Sequence, residues 1–325
     1  MAAAGFAGDF PSVSVVIPTR DRRRDLERTL RALWDEPGVH EIVVVDDGST
    51  DGTAEWLETQ AALRPRIRPV RASGLGPNDA RALGARQATG DVILFLDDDE
   101  EARPGLVVGH ARHHASQEHR LVAGYNPIPV TRETTTVERL VGEWWEELFD
   151  LVEAAPEIGL EHVWGGNLSI RSDDLQRIGL SMPEFSGRKD HEDRAFGLRC
   201  KRAGLGYVFD RTLRAEHHYI RTVAQFRRDA RNSGYGTVLV HRAHPELGDV
   251  PAVFWTTERP PLLLVLRLTD SALPREILIR SLQLVIAAAD RLQRRELGTA
   301  ACRLLYRIER RRGFKDASRD IAAAA

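Results

Sequence analysis

Short β-branched runs alternate with amphipathic stretches over the first hundred residues of the chain. The runs suit strands, whereas apolar residues in the stretches between them recur every three or four positions, as in helices that pack one face on a core. The last run, Val-Ile-Leu-Phe-Leu, suits a parallel strand buried on both faces. The pattern predicts an open α/β sheet with crossover helices, with strands at 13–18, 41–45, 67–70 and 91–96 and helices at 25–34, 53–63 and 77–88.

The pattern becomes mixed after residue 104 and purely helical after residue 218. Helices are predicted at 104–115, 137–152 and 192–202, and strands at 121–125 and 207–209. Helical periodicity alone continues over 222–241, 262–268, 275–292 and 298–312. We therefore predict a disordered lead-in over 1–10, an α/β domain over 11–218 and a helical C-terminal extension over 219–325.

Composition and charge exclude several classes of protein. The chain has 325 residues, of which 42% are hydrophobic and 29% charged, which excludes a disordered or coiled-coil protein. Its formal charge of −2 gives no overall basic field, so a nucleic-acid partner is not expected. Cys200 and Cys302 form no Cys-x-x-Cys or Cys/His cluster, which favours a reducing compartment. We expect no signal peptide and no spanning helix, and hence a cytoplasmic protein.

The strongest chemical signal is a run of four acids directly after the fourth predicted strand. Asp97, Asp98, Asp99 and Glu100 repel one another unless a cation joins them. Asp97 and Asp99 can present carboxylates to Mg²⁺ or Mn²⁺, which prefer oxygen ligands and often keep diphosphate oxygens in their shell. The alternative is a solvated acidic loop. We interpret the run as a metal and diphosphate site.

A second acidic turn follows the second predicted strand. Gly48 suits a tight turn, and Asp51 or Thr53 can cap the next helix. Asp46 and Asp47, at the strand end itself, can accept hydrogen bonds from a base N–H and a ribose hydroxyl. Ligands of open α/β sheets bind beyond the carboxyl ends of the strands. We therefore expect three segments to meet at one site: this turn, the acidic run, and the loop that begins Pro18-Thr19-Arg20-Asp21.

Four segments of the chain resemble the family-2 glycosyltransferases of the GT-A fold. They are VSVVIPTRD at 13–21, EIVVVDDGSTDGT at 41–53, ARALGARQATGDVILFLDDD at 80–99 and EDRAFGLRCKRAG at 192–204. The resemblance implies a GT-A sheet with a nucleotide-binding half over 11–104 and an acceptor half over 105–218. It also implies a metal-dependent, inverting transfer of sugar from a nucleoside diphosphate sugar, first of all a UDP-sugar, to a hydroxyl or amine.

The resemblance assigns roles to individual residues. The acceptor is expected to be a glycan, a lipid or a small molecule, and the sequence does not identify it. The family's general base corresponds to Asp193, with Glu192 beside it. Arg81 corresponds to a diphosphate or sugar contact, although Ala82 replaces the family's asparagine. The other assignments are nucleotide and diphosphate contacts by Pro18, Thr19, Arg20, Asp46, Asp47, Asp97 and Asp98; metal binding by Asp97, Asp99, His217 and His218; and acceptor binding by Trp164, Gly165, Gly166 and Asn167.

Structural alternatives stand beside these roles. Trp164 can be a core residue, Asp193 a helix cap, and the histidine pair a surface feature. The arginine-rich helices of the extension can contact a membrane at the inner face, bind a partner, or pack on their own domain. A sugar-phosphate nucleotidyltransferase would usually have a glycine-rich loop after the first strand, which this chain lacks; a non-catalytic GT-A-like scaffold is the other alternative. The sequence leaves the oligomeric state open.

Overall fold

Eight strands form one sheet in the computed structural model, which describes residues 10–116, 118–180, 191–247 and 260–324. The strand order is β3-β2-β1-β4-β7-β6-β8-β5. The first four strands pair in parallel, as do β6 and β8, whereas β4–β7, β6–β7 and β5–β8 are antiparallel. The strands are β1 Val13–Thr19, β2 Val39–Asp46, β3 Ile67–Arg71, β4 Val92–Phe95, β5 Glu100–Ala102, β6 Arg120–Tyr125, β7 Leu168–Arg171 and β8 Gly206–His217.

Helices flank the sheet and account for most of the residues described in the C-terminal third of the chain. Two short 3₁₀ helices lie at Pro156–Glu161 and Pro245–Leu247. The α-helices are α1 Arg23–Leu33, α2 Thr53–Leu63, α3 Pro77–Gln87, α4 Leu106–His113, α5 Thr136–Ala154, α6 Ser172–Ile178, α7 Glu192–Arg202, α8 Val223–Ala243, α9 Pro260–Leu268, α10 Ala272–Leu292 and α11 Arg295–Ala324. None of them combines the length and the apolar character that crossing a membrane requires.

The predicted α/β sheet and its crossover helices are confirmed. Two strands and one helix are additions to the prediction: β5, which consists of two glutamates and an alanine, and β7 with α6, which follow a glycine-containing segment. The last strand, predicted at 207–209, runs to His217 because it pairs with β6 over its first half and with β5 over its second. The lead-in predicted over 1–10 lies, apart from Phe10, outside the described residues.

Contacts divide the chain into two compact units. The first comprises Met1–Pro129, Glu146–Gly187 and Phe196–His218 and contains the sheet. Its core is formed by the apolar strands β1, β2 and β4 with one face of α1, where Leu26, Leu30 and Leu33 recur at helical spacing and are buried. The second unit comprises Val130–Trp145, Arg188–Ala195 and Tyr219–Ala325.

The second unit is held together by close packing of α8, α10 and α11. A Cβ atom on Gly234 of α8 would lie 1.9 Å from the carbonyl oxygen of Arg310, and one on Gly313 of α11 would lie 1.8 Å from that of Arg231. The two backbones therefore touch where both helices carry glycine. Phe226, Ile279, Ile286 and Leu305 are among the residues that fill the core beside this contact.

A buried polar network joins α4 to β7 inside the first unit. His110 lies 2.8 Å from the Ser169 hydroxyl through Nδ1 and 2.9 Å from the Asn167 side-chain oxygen through Nε2. His114 Nε2 lies 2.9 Å from the same hydroxyl. Burial lowers the pKa of His110 to about 4 and that of His114 to about 3. Both imidazoles are therefore neutral in the folded protein at neutral pH.

These histidines predict that stability falls on acidification. Below about pH 6.5 these histidines bind protons in the unfolded chain but not in the folded network. The contribution of the neutral histidines to the free energy of unfolding is therefore fully present above about pH 6.5 and is lost as pH falls towards 4. Each such histidine contributes a slope of about 1.4 kcal/mol per pH unit in the free energy of unfolding. In urea titrations at pH 7 and pH 5, we expect the free energy of unfolding to decrease less between the two pH values for His110→Gln than for the wild type.

His40, whose exposed side chain lies 3.2 Å from the Thr89 hydroxyl, provides the matched control. We expect His40→Gln to keep the wild-type pH slope. An unchanged slope in His110→Gln would show that His110 does not contribute to the pH dependence.

Candidate functional site

The loops that follow β1, β2 and β4 are hydrogen-bonded to one another at the carboxyl edge of the sheet. The backbone N–H of Asp21 donates to Ser49 Oγ at 2.9 Å, and the N–H of Thr50 donates to Asp21 Oδ1 at 2.6 Å. Thr19 Oγ1 donates to Asp98 Oδ2 at 2.8 Å. The predicted convergence of these three loops is confirmed.

The acids that end β2 bind backbone groups of neighbouring loops. Asp46 accepts a hydrogen bond from the N–H of Ser49 at 2.9 Å. Asp47 accepts from the N–H groups of Leu75 and Gly76, after β3, at 2.7 and 2.8 Å. Both side chains are buried, so they fix the loops around the strand ends. A contact with a nucleotide base or ribose stays a prediction for both.

The acids that follow β4 are paired with two arginines. Arg22, just before α1, donates from Nη1 to Asp98 at 2.8 Å and from Nη2 to Asp99 at 2.6 Å. Arg81 of α3 donates to Asp97. Asp98 and Asp99 are 5% and 2% exposed, so they do not form the solvated loop of the alternative reading.

Burial and neighbouring charges set the protonation of this cluster. Burial raises the pKa of Asp98 to about 7, against the opposing effect of Arg22. Burial also opposes ionisation of Asp99, but His217 and Arg22 outweigh it and hold the pKa of Asp99 below its usual range. His217 Nε2 lies 3.4 Å from Asp99 Oδ2, and although burial acts to lower the pKa of His217, Asp99 raises it to about 9. Asp99 and His217 therefore form an ion pair.

Glu100 is a buried member of the cluster, and its contacts could not be inferred from the sequence. It is 1% exposed, accepts from the N–H of Asp97 at 3.1 Å, and contacts the side-chain amide of Asn126. Burial raises the pKa of Glu100 to about 8. A Cβ atom on Gly166 would lie 2.4 Å from Glu100 Oε1, so this glycine makes room for the carboxyl group.

The segment predicted to bind the acceptor is part of the protein interior. Trp164 is buried and packs edge-to-face on Phe149 and Phe209, with ring centroids 5.3 and 5.7 Å away. Asn167 is fully buried, bonds to His110, and donates to the carbonyl oxygen of Leu213 at 2.8 Å. Trp164 is thus a core residue in this structure, and Asn167 belongs to the buried polar network of His110. The acceptor role of Trp164, Gly165, Gly166 and Asn167 stays a prediction.

The two histidines after β8 have different partners. His217 adjoins Asp99, whereas His218 Nε2 lies 2.8 Å from Glu101, outside the pair of acids predicted to bind metal. Of the two, His217 is the one that the fold brings to the cluster. Metal binding stays a prediction for both histidines.

The remaining predicted residues lie at several places in the fold. Pro18 is buried within β1, and Arg20 has an exposed side chain 3.9 Å from Asp21. Glu192 and Asp193 lie in the first turn of α7, in the segment Arg188–Ala195 of the second unit. Glu192 is buried and Asp193 is half-buried. Their catalytic assignment stays a prediction.

The donor atoms of the cluster fit a hard divalent cation. Within the described ranges, no group of three or more His, Cys, Asp or Glu side chains is already arranged to hold a metal ion. Asp97 and Asp99 offer carboxylate oxygens, the ligands that Mg²⁺ and Mn²⁺ prefer, and neither cysteine lies in this segment. A cation here would complete its shell with diphosphate oxygens and water, as Mg²⁺ commonly does.

Comparison with known proteins points to one family. A model of the family described as Glycosyl transferase family 2 matches residues 14–179, slightly more than half of the 325-residue chain. Validoxylamine A glucosyltransferase of Streptomyces hygroscopicus subsp. limoneus is 31% identical over 235 residues, which cover 64% of this chain and 51% of that protein. Undecaprenyl-phosphate 4-deoxy-4-formamido-L-arabinose transferase of Pectobacterium carotovorum is 40% identical over 103 residues, 30% of this chain and 31% of that protein. The chain thus spans about half or less of these relatives.

Solved structures show the same fold. The mannosyltransferase PcManGT from Pyrobaculum calidifontis, in complex with GDP-Man and Mn²⁺, matches with a TM-score of 0.61 and 16% identity over 92% of this chain and 86% of that chain. GalNAc-T7 with UDP, GalNAc and Mn²⁺ matches with a TM-score of 0.51 and 15% identity over 74% of this chain and 52% of that chain. The GT-A type of fold predicted from the resemblance is confirmed.

The pairing of Arg22 with two buried acids predicts a large effect of its removal. Arg22→Met leaves Asp98 and Asp99 without their guanidinium, and we expect the free energy of unfolding in metal-free buffer to fall by about 3 kcal/mol. Urea denaturation with EDTA measures this loss. A second titration with Mn²⁺ is expected to show a smaller loss, because a divalent cation at Asp99 would replace the missing positive charge.

Arg20→Met is the matched control two positions away, since the Arg20 side chain is 58% exposed. We expect it to change stability by less than about 0.5 kcal/mol. Equal stability of the two variants would mean that Arg22 does not neutralise the cluster.

Proposed function

The chain belongs to glycosyl transferase family 2, and on that premise we propose that it transfers a sugar from a nucleoside diphosphate sugar to a hydroxyl or amine acceptor, with inversion at the anomeric carbon. The observation that carries the proposal is the acidic cluster after β4, where two ionisable carboxylates two residues apart are held at the meeting point of three strand-end loops. Donor sites of open α/β sheets lie at this edge.

Asp97 and Asp99 are the residues proposed to hold Mn²⁺ or Mg²⁺. When bound, the cation would neutralise negative charge that develops on the departing diphosphate. Arg81 and Arg22 hold the two carboxylates in place, and His217 keeps Asp99 ionised near neutral pH. The Mn²⁺ complexes of PcManGT and GalNAc-T7 support a metal in this fold.

Asp193 is proposed to act as the general base. A carboxylate in the first turn of a helix is favoured in its ionised form by the helix dipole and the unpaired N–H groups there. Such a group takes the proton of the acceptor hydroxyl as the oxygen attacks the anomeric carbon. A single displacement of this kind inverts the configuration at that carbon.

The donor and acceptor are proposed only as chemical classes. The structural neighbours hold GDP-Man in one case and UDP in the other, so a UDP-sugar is our first choice and a GDP-sugar the second. The relatives include a transferase named for validoxylamine A and one named for undecaprenyl phosphate, which supports a small-molecule or a lipid acceptor. A cytoplasmic site of action stays a prediction.

The metal assignment predicts that Asp97→Asn and Asp99→Asn are folded but inactive. Loss of one metal ligand is expected to lower the rate of nucleoside diphosphate release by about a thousandfold. The assay offers UDP-, GDP- and dTDP-sugars with Mn²⁺, using a panel of glycan, lipid-phosphate and small-molecule acceptors. Thermal unfolding of each variant, with and without UDP and Mn²⁺, separates loss of the site from loss of the fold.

Asp35→Asn is the control for this pair, because Asp35 is exposed and lies outside the cluster. It is expected to turn over like the wild type. Unchanged turnover in Asp97→Asn or Asp99→Asn would remove that residue from the metal site. Release of inorganic pyrophosphate in place of nucleoside diphosphate would identify the reaction as nucleotidyl transfer and not sugar transfer.

The base assignment predicts a different kinetic signature for Asp193→Asn. We expect kcat to fall by about a hundredfold to ten-thousandfold, because general base catalysis contributes that much. The thermal shift produced by nucleotide and Mn²⁺ is expected to stay at the wild-type value, since the variant keeps the donor site. Glu192→Gln, one position away in the same helical turn, is expected to lower kcat less than Asp193→Asn does. The reverse order of effects would assign the role of general base to Glu192.

A further inference from the structure

A row of large aliphatic side chains on α9 and α10 is exposed to solvent. This apolar ridge consists of Leu264, Leu268, Leu273, Ile277 and Leu284, each between 58% and 73% exposed. Successive members within each helix are four or seven positions apart, so they share one helix face. The opposite face of α10 carries Ile279, Leu282 and Ile286, which are buried in the core of the second unit. Helix α10 therefore has two apolar faces, of which the core uses one.

Arginines outnumber acids on the exposed side of these helices. Arg267 on α9 and Arg280 and Arg291 on α10 are exposed. The carboxylates of the same stretch have partners elsewhere: Asp270 pairs with Arg311 and Lys315, and Asp290 accepts from Thr136. Glu276, beside Arg275 at 4.0 Å, is the remaining acid of α10. The ridge is therefore flanked by arginine.

A basic pocket of about 710 Å³ opens next to the turn between α9 and α10. Its walls carry two carboxylates, Asp270 and Asp316, and six cationic side chains, a surplus of four positive charges; the cations are Arg231, Arg275, Arg311, Arg312, Lys315 and Arg319. Glu309 lies beside Arg312 at 3.8 Å and offsets part of that surplus. Arg275, which lines the pocket, is two positions from both Leu273 and Ile277, so it lies on the face of α10 opposite the ridge, and the pocket is separate from the ridge.

We propose that the apolar ridge and the arginines beside it dock on a membrane of anionic phospholipid. The ridge enters the boundary between headgroups and acyl chains, as amphipathic helices lying on a membrane do, and Arg267, Arg280 and Arg291 contact lipid phosphate groups. A second copy of the chain is the less suitable occupant, because it would bring the arginines beside two ridges together. This inference is independent of the glycosyl transfer proposed above.

The test is sedimentation of the full chain with lipid vesicles. One set of vesicles is phosphatidylcholine alone, and the other contains about one-third phosphatidylglycerol, which supplies the negative surface charge. We expect the protein to sediment with the anionic vesicles at least about tenfold more strongly than with the neutral ones, and this preference is expected to shrink as salt is raised.

Two variants separate the contribution of the ridge from that of the arginines beside it. Leu268→Ser/Leu273→Ser/Ile277→Ser is expected to weaken binding to anionic vesicles by at least about tenfold, because three side chains no longer enter the apolar boundary. Arg267→Gln/Arg280→Gln is expected to weaken it by about fivefold for each charge removed.

Leu63→Ser is the matched control, since Leu63 ends α2 in the first unit and is 68% exposed. It is expected to bind vesicles like the wild type, and thermal unfolding checks that every variant is folded. If the triple variant fails to fold, Leu284→Ser alone is expected to show a smaller loss of the same sign.

Three results would overturn the proposal. They are no sedimentation of the wild type with anionic vesicles, equal sedimentation with both vesicle types, and wild-type binding by the ridge variant. A dimer of the wild type that the ridge variant converts to monomer, without vesicle binding, would assign the ridge to self-association instead.

Discussion

Four consecutive carboxyl groups at the end of a buried strand have to be held together against their mutual repulsion, and the first unit is organised around that constraint. Each neighbouring element contributes one compensating group: Arg22 comes from the loop after β1, Arg81 from α3, and His217 from β8. The antiparallel pairing of β5 with β8 sets Glu100 opposite His217 in register. The sheet topology thus brings three cationic side chains to one acidic cluster, and removing any of them would leave its carboxylates less well neutralised.

The same constraint accounts for residues that contact no charge directly. Gly166 has no side chain where the carboxyl group of Glu100 lies, and Asn167 beside it is fixed by His110 from α4. Trp164 anchors the segment in an aromatic core with Phe149 and Phe209. This segment therefore works as a support behind the acids. A polar or aromatic motif near a site need not touch the ligand to be required by it.

Sequence reasoning predicted what depends on local pattern and missed what depends on pairing across the sheet. The strands β1 to β4, the helices between them and the meeting of their loops followed from hydrophobic periodicity and from the rule for parallel strand ends. Strand β5 was not predictable in this way, because Glu-Glu-Ala becomes a strand only through its pairing with β8. The same applies to Arg22 and Asn126, which reach the acids from distant positions in the chain, and to Trp164, whose burial depends on rings from other elements.

The formal charge of −2 conceals opposite local fields in the two units. The first gathers four acids in one segment, whereas one pocket of the second has six cationic side chains and two acids. Charges in water at physiological salt act over about 8 Å, so a bound ion or lipid responds to the groups around it and not to the total. A net charge near zero therefore excludes a protein that is basic throughout, but it does not exclude an anionic ligand. Such a ligand is bound by a local surplus of cations, and the arginines and the lysine of α8, α10 and α11 provide one.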